Sequence, residues 1–378
     1  MRRTAWRVFR LLLAAFVVAL GALAIVAVVD DDSWPAGQAQ AVAVVATTQQ
    51  LPVLGWVVRV VTPEPRVEET IVAGHQSTVV RPGDGRRWPA VVFVNGATRA
   101  GRHHPQVERL ADGLARAGFL VVVPDLPRLR AGEITPATTA ATTQVAEVVT
   151  ARPDVRDSRV ALYGVSVGAS LALLASESPG LASRVSVVGG EAPFTDLRRI
   201  VRLTTTGLYD GTPYETDPYA LLAIGRSLAA GLPEGSGRSR LLRWLRAVPD
   251  ESPEPLAGLD PGVYNDGARA LVELLRNEDP ARFDELYSRV PRRVRAAVEA
   301  LSPLAGSERL RAPVELASGP QDKYFPPAES HSLAREVPRA RVTITSTFDH
   351  ALPRLSAGDV ADLARFDGFV VRFLRLAR

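Results

Sequence analysis

The sequence predicts an α/β fold: a mostly parallel sheet with helices on both faces, a helical cap insertion, and an N-terminal transmembrane helix. Three observations carry this. From Arg66 onward, short β-branched runs alternate with helical stretches of about 10–15 residues, the rhythm of parallel strands joined by crossover helices. That rhythm stops between 199 and 304, where helical patterns follow one another with proline and glycine between them. Ahead of both, residues 11–29 form an apolar run without a single charge.

The N-terminal run is taken first. Arg2, Arg3, Arg7 and Arg10 precede it, Asp30, Asp31 and Asp32 end it, and Trp6 and Trp34 flank it. Nineteen residues at about 1.5 Å each come close to the roughly 30 Å hydrocarbon core. The arginines orient residues 1–10 toward the cytoplasm, so a single-pass anchor at 11–29 puts the remainder outside it. A cleaved signal peptide is the alternative, with late sites at Ala39-Gln40-Ala41 or Ala41-Val42-Ala43, and would give a secreted protein. The length of the run and the three aspartates favour the anchor. Residues 30–65 are expected to be a linker or stalk. Within them Ala41 to Val61 is apolar but broken by Thr47, Thr48, Gln49, Gln50, Pro52 and Arg59, so it is expected as an amphipathic or surface-packed segment. Thr62-Pro63-Glu64-Pro65 leads into the folded core.

The core is expected over 66–198 and 305–378. Val67 to Val72 and Gln76 to Val80 are predicted as opening antiparallel strands, Ala90 to Val94 as a buried strand, and Pro105 to Ala117 as a helix closed by Gly118. Strands follow at Phe119 to Val123, near Val160, at Val185 to Val188, at Val314 to Ala317 and at Val342 to Thr345. Helices are predicted at Thr138 to Thr150 and at Val360 to Leu376. The insertion, 199–304, carries helical patterns at Leu221 to Ala230, Ser239 to Ala247, Ala268 to Asn277 and Pro280 to Leu301. It is expected to lie over the carboxyl ends of the strands, where ligands of such sheets gather.

Composition narrows the chemistry. Lys323 is the only lysine, the net charge is +4, and no Lys/Arg stripe with interleaved aromatics appears, so a nucleic-acid partner is not expected. The chain has no cysteine, which excludes disulfides, thiolate nucleophiles and Cys-based metal sites. Its five histidines show no metal-ligand spacing, so no metal site is expected, and the chemistry read below calls for no organic cofactor. Nothing in the pattern fixes an oligomeric state.

The chemical signal is Gly164-Val165-Ser166-Val167-Gly168, between the apolar run Arg159 to Tyr163 and the helix-like Ala169 to Ala175. A serine on a sharp strand-to-helix turn is held in a strained backbone, and the crowding asks for glycine two residues before and two after. Such a serine needs a base, and the base an orienting acid. His75 lies among the opening strands and His331 in a helix-like stretch. His103 and His104 follow the loop after the Ala90 strand, where they are expected to contact substrate. His350, just past the last predicted strand, is left as the base. Asp322, in the tight loop Gly319-Pro320-Gln321-Asp322, is the expected acid, with Asp349, or Glu191 and Asp196, as rivals. Two backbone N–H donors should complete the site, from Val167 and from Ala97 in Asn95-Gly96-Ala97-Thr98.

With these residues in order, "VVFVNGATRAGRHHPQVERLADGLARAGFLVVVPDLP", "DSRVALYGVSVGASLALLAS", "ASGPQDKYFPP" and "STFDHALP" resemble the α/β-hydrolase superfamily, in particular dienelactone-hydrolase-like and prolyl-oligopeptidase-like members. The resemblance covers about Arg66 to Leu197 and Leu304 to Arg378. Here serine stands where dienelactone hydrolases proper use cysteine, and Asn95-Gly96 where His-Gly is common. The resemblance implies a serine hydrolase acting on an ester, thioester or amide. The expectation is a membrane-anchored extracytoplasmic enzyme, carboxylesterase-like rather than a peptidase, whose substrate is a small-molecule or lipid-like acyl compound. The alternatives are a catalytically silent surface binding protein of the same fold and an envelope acyltransferase.

Overall fold

The computed structural model describes residues 34–83, 87–250, 258–350, 352–353 and 360–378. In chain order the elements that build the core are α1 (Trp34–Thr48), α2 (Pro52–Val61), β1 (Arg66–Val72), β2 (His75–Arg81), β3 (Trp88–Val94), α3 (Pro105–Arg116), β4 (Leu120–Pro124), α4 (Pro136–Thr150), β5 (Val155–Val165), α5 (Val167–Ser176) and β6 (Val185–Glu191). The inserted segment contributes α6 (Leu197–Thr206), α7 (Pro218–Ala230), α8 (Ser236–Ala247), α9 (Asp266–Leu275), α10 (Phe283–Arg289) and α11 (Arg292–Ala300). The chain then returns through β7 (Val314–Ser318), α12 (Pro327–Glu336), β8 (Ala340–Ile344) and α13 (Val360–Leu376).

The eight strands form one sheet in the order β1-β2-β4-β3-β5-β6-β7-β8. β1 pairs antiparallel with β2, and β2 antiparallel with β4; every later pairing is parallel. Both faces are covered, which is why the central strands are continuous apolar runs. Val91, Phe93, Val121, Val123, Ala161 and Tyr163 pack toward α1, α3 and α13. The alternate residues Val92, Val94, Leu120, Val122, Val160 and Leu162 pack toward α4, α5 and the inserted helices. This arrangement brings the carboxyl ends of β3, β5, β6 and β7 side by side.

The structure departs from the sequence expectations in three places. Residues 34–61, expected within a linker or stalk, form two helices, and α1 is part of the core: Ala36, Ala41, Ala43, Val44 and Ala46 are buried against α3 and α13. Small residues make this close approach possible. A Cβ at Gly113 of α3 would come within 3.0 Å of the Val44 carbonyl oxygen. α2 packs on one side only and leaves Val53, Trp56, Val60 and Val61 exposed, as expected of an amphipathic segment. Second, the helix expected from Pro280 to Leu301 is divided by Val290-Pro291. Val290 is held extended (φ −60°, ψ 137°) because the following proline ring crowds the helical region. Third, α6 occupies a stretch with no predicted element, its start capped by Asp196, whose carboxylate accepts from the Arg199 N–H. The expected membrane span at 11–29 lies outside the described residues; among those described, no helix is long and apolar enough to cross a membrane.

Candidate active site

Ser166 stands at the turn between β5 and α5 with φ 56° and ψ −128°, a conformation that costs a non-glycine residue about 1–3 kcal/mol. Its surroundings enforce that conformation. A Cβ at Gly164 would overlap the Gly168 carbonyl, and a Cβ at Gly168 would overlap the Val94 carbonyl at the end of β3. The Ser166 N–H donates to the Glu191 carbonyl at 2.7 Å, and the Ser166 carbonyl accepts from the Ala169 N–H at 2.9 Å. The turn is therefore wedged between the ends of β3 and β6, with the serine side chain standing proud of the sheet.

His350 lies at the tip of a small hairpin pairing Phe348–Asp349 with Leu352–Pro353, in the left-handed region at φ 55°. Its Nε2 is 2.9 Å from Ser166 Oγ, and its Nδ1 is 2.9 and 2.8 Å from the two carboxylate oxygens of Asp322. Asp322 is almost wholly buried in the loop after β7. Its Oδ1 also accepts from the backbone N–H groups of Tyr324 and Phe325, at 2.8 and 3.0 Å. Because an ionised carboxylate only accepts, the Nδ1 proton points to Asp322 and Nε2 is left to accept from the serine hydroxyl. The imidazole is steadied by Tyr324, whose ring centroid lies 4.2 Å away, and by Phe325 at 6.0 Å.

The loop after β3 closes on the serine. A Cβ at Gly96 would stand 3.5 Å from Ser166 Cβ, so the backbone here runs beside the nucleophile position. The Asn95 side-chain amide donates to the Gly96 carbonyl at 2.7 Å and stiffens the turn. Ala97 and Val167 both line the cavity at Ser166, and for neither N–H is an acceptor found among the described residues. Of the two adjacent histidines, His104 lines this cavity and His103 does not. His104 caps α3, its Nδ1 accepting from the Gln106 N–H at 3.3 Å. His103 is exposed beside Glu108 at 3.5 Å.

The rival acids have other partners. Asp196 caps α6, and Asp349 pairs through its backbone with Leu352. Glu191, at the end of β6, accepts a hydrogen bond from the Tyr163 hydroxyl. Burial pushes the Glu191 carboxyl up to about 7, a rise the Tyr163 hydrogen bond only partly offsets. Burial next to Glu191 likewise drives the Tyr163 hydroxyl well above its ordinary range.

Sequence reasoning missed the residues that clamp the site from the insertion. The Tyr214 hydroxyl donates to the Asp322 carbonyl at 2.7 Å, and the Tyr219 hydroxyl donates to the Ala97 carbonyl at 3.2 Å. Burial and the neighbouring Asp322 raise Tyr214 to about 12, so its hydroxyl stays a donor at neutral pH. Beneath them the buried Glu329 of α12 accepts from the Thr195 and Asp196 N–H groups at 2.6 and 2.7 Å and from the Tyr209 hydroxyl at 2.6 Å. This joins the exit of β6 to the helix after the acid loop. The tyrosines in "TPYETDPYA" carried a local signal only as the start of a helix; their partners are about a hundred residues away. Among the described residues, no group of three or more histidine and carboxylate side chains is gathered as a metal site.

No protein-family model matches the chain, and neither does any curated protein. Among solved structures it is similar to an acylaminoacyl peptidase in complex with Z-Gly-Gly-Phe-chloromethyl ketone (12% identity, 82% of this chain and 40% of that one, TM-score 0.45). It is also similar to a puromycin-hydrolyzing peptidase of Mycobacterium tuberculosis (17% identity, 82% and 37% covered, TM-score 0.44). A third is dienelactone hydrolase from Anabaena variabilis (13% identity, 82% and 97% covered, TM-score 0.44). The chain spans about two fifths of the length of the two peptidases. The strand order 1-2-4-3-5-6-7-8 and the serine corner after β5 are those of the α/β-hydrolase fold, and it is on them that the fold assignment rests.

Proposed function

We propose that the protein is a serine hydrolase that cleaves an ester through an acyl-enzyme, with Ser166 as nucleophile, His350 as general base and acid, and Asp322 as the group that orients and stabilises the imidazolium. The observation that carries this reading is the unbroken relay from Ser166 Oγ to His350 Nε2 at 2.9 Å and from His350 Nδ1 to Asp322 at 2.8 Å. Ser166 Oγ attacks the ester carbonyl while its proton passes to Nε2. The oxyanion that forms is held by the N–H groups of Val167 and Ala97. Collapse breaks the acyl C–O bond, and the leaving alcohol takes the proton from Nε2. Water then attacks the acyl-serine, giving its proton to Nε2, and the acid departs as Oγ recovers it. An ester is preferred over a peptide because the cavity beside Ser166 is walled mainly by apolar side chains, which offer a chain of polar amides few partners.

Ser166→Ala is expected to lower turnover of p-nitrophenyl butyrate by at least about 10⁴-fold and to abolish labelling by a fluorophosphonate. A wild-type protein that shows neither reaction would sink this reading and leave the silent binding module in its place. Added alcohol acceptors distinguish hydrolysis from acyl transfer by the product formed.

The same reading includes a membrane anchor at 11–29 with the enzyme outside the cytoplasm. The uncharged nineteen-residue run supports it, as does the outward apolar face of α2, where Val53, Trp56, Val60 and Val61 meet solvent. The full chain should stay in the membrane pellet after alkaline carbonate extraction, and a chain lacking 1–33 should be released. Release of the full chain would count against the anchor.

A further inference from the structure

The cavity at Ser166 does not end at the mouth between the acid loop and the insertion. It holds about 650 Å³ and continues past the nucleophile into the helix layer on the α1 face of the sheet. Its inner walls are Val45 of α1, Leu110 of α3, Phe93 of β3, and Phe369, Val370 and Phe373 of α13. Polar residues line the cavity as well: Thr98, His104, Asp217 and Lys323 from loops and caps, and Thr48, Gln49 and Gln106 from the end of α1 and the start of α3. The polar pair Tyr163–Glu191 faces the interior but is joined by its own hydrogen bond, so it asks little of an occupant.

A largely apolar space of this size beside the nucleophile can serve as a chamber for the acyl part of the substrate. An alcohol leaving group must depart toward solvent, while the acyl group stays tethered to Ser166 and needs the deeper space. We infer that the chamber between α1, α3 and α13 holds a long acyl chain, so that the substrate class is a long-chain carboxylic ester; this rests on the serine hydrolase reading above. α1 is what makes the chamber. Without Val44, Val45, Thr48 and Gln49 the space between α3 and α13 would open to solvent on that side.

Two measurements on the full chain in digitonin, a detergent without an alkyl chain, test the inference. For wild type, kcat/KM is expected to rise from p-nitrophenyl butyrate through octanoate to dodecanoate, by up to about fourfold per methylene buried. Val45→Trp and Leu110→Trp, which fill the chamber from two different helices, should each lower the dodecanoate-to-butyrate ratio at least tenfold. The second measurement is independent of turnover: Ser166→Ala should bind dodecanoate in calorimetry and not butyrate, and adding Val45→Trp should weaken that binding at least tenfold. A kcat/KM that is flat or falls with chain length, dodecanoate that does not bind, or binding indifferent to both tryptophans would each overturn the chamber. Dodecanoate bound by a protein that hydrolyses no ester would leave the chamber standing and overturn the hydrolase reading alone.

Discussion

The corner around Ser166 and the helix pair α1–α2 are both built on close approach, yet they advertise it differently. At the corner the crowding falls on single positions: Gly164 meets Gly168, and Gly168 meets the end of β3, the neighbouring strand in the sheet. Only glycine fits there, so five consecutive residues carry the constraint in their identity. In α1 the close approach is spread over Ala36, Ala41, Ala43, Val44 and Ala46, and its partner surfaces, α3 and α13, lie about 70 and 330 residues further along the chain. Small apolar residues suit a buried helix, a stalk or a membrane-near segment equally well. The lesson is that a close approach is legible when it dictates the residue at a few fixed positions, and illegible when it is spread along a helix face that any small apolar residue would serve.

The sharpest way to break this contrast is at the corner. Gly168→Ala forces a Cβ into the Val94 carbonyl, where backbone and not a flexible side chain must give way. Displacing the β5–α5 turn moves Ser166 Oγ from His350 Nε2 and the Val167 N–H together. We expect kcat/KM for p-nitrophenyl butyrate to fall at least about 10²-fold, the cost of roughly 1 Å of misplacement in a positioned nucleophile. Stability should fall as well, by about 1–3 kcal/mol for overpacking at a buried site. A variant with full activity and unchanged urea midpoint would mean that the turn is not held as tightly as its contacts require.

Much of the fold was legible for the same reason that the corner was. The strands of the sheet announce themselves as runs of valine, and Pro124, Gly118 and the Gly319-Pro320 turn mark where elements stop. Of the residues singled out by sequence, Ser166, His350 and Asp322 come within hydrogen-bonding distance in series, and Ala97, Val167 and His104 line the same cavity; His103 does not. His350 was reachable by elimination because so few histidines compete. Tyr214, Tyr219 and the chamber were not reachable, because each depends on where the inserted helices and α1 dock, and docking is decided by surfaces that no short window contains. The division at Pro291 is a different kind of miss. Val290-Pro291 is a breaker visible in the sequence, and it overrides the apolar periodicity that continues on either side of it.

Glu191 is where the two regions meet, since its backbone carbonyl holds the Ser166 N–H while its side chain faces the chamber. A carboxyl there is buried, its side chain accepts from the Tyr163 hydroxyl, and it stands at about 7 instead of its usual 4.5. The folded chain therefore keeps a proton that the unfolded chain loses between those values, so stability should fall as pH rises from about 4.5 to about 7 and stay lower above it. Glu177, raised to about 7 chiefly by burial, contributes with the same sign. Glu191→Gln keeps an acceptor for the Tyr163 hydroxyl but has nothing to ionise. Its unfolding free energy in urea at pH 8 should exceed that of wild type by up to about 3 kcal/mol, and its loss between pH 5 and pH 8 should be smaller. The same pH loss in both proteins would show that the carboxyl reaches water in the folded state, and that the chamber beside the nucleophile is wetter than its walls imply.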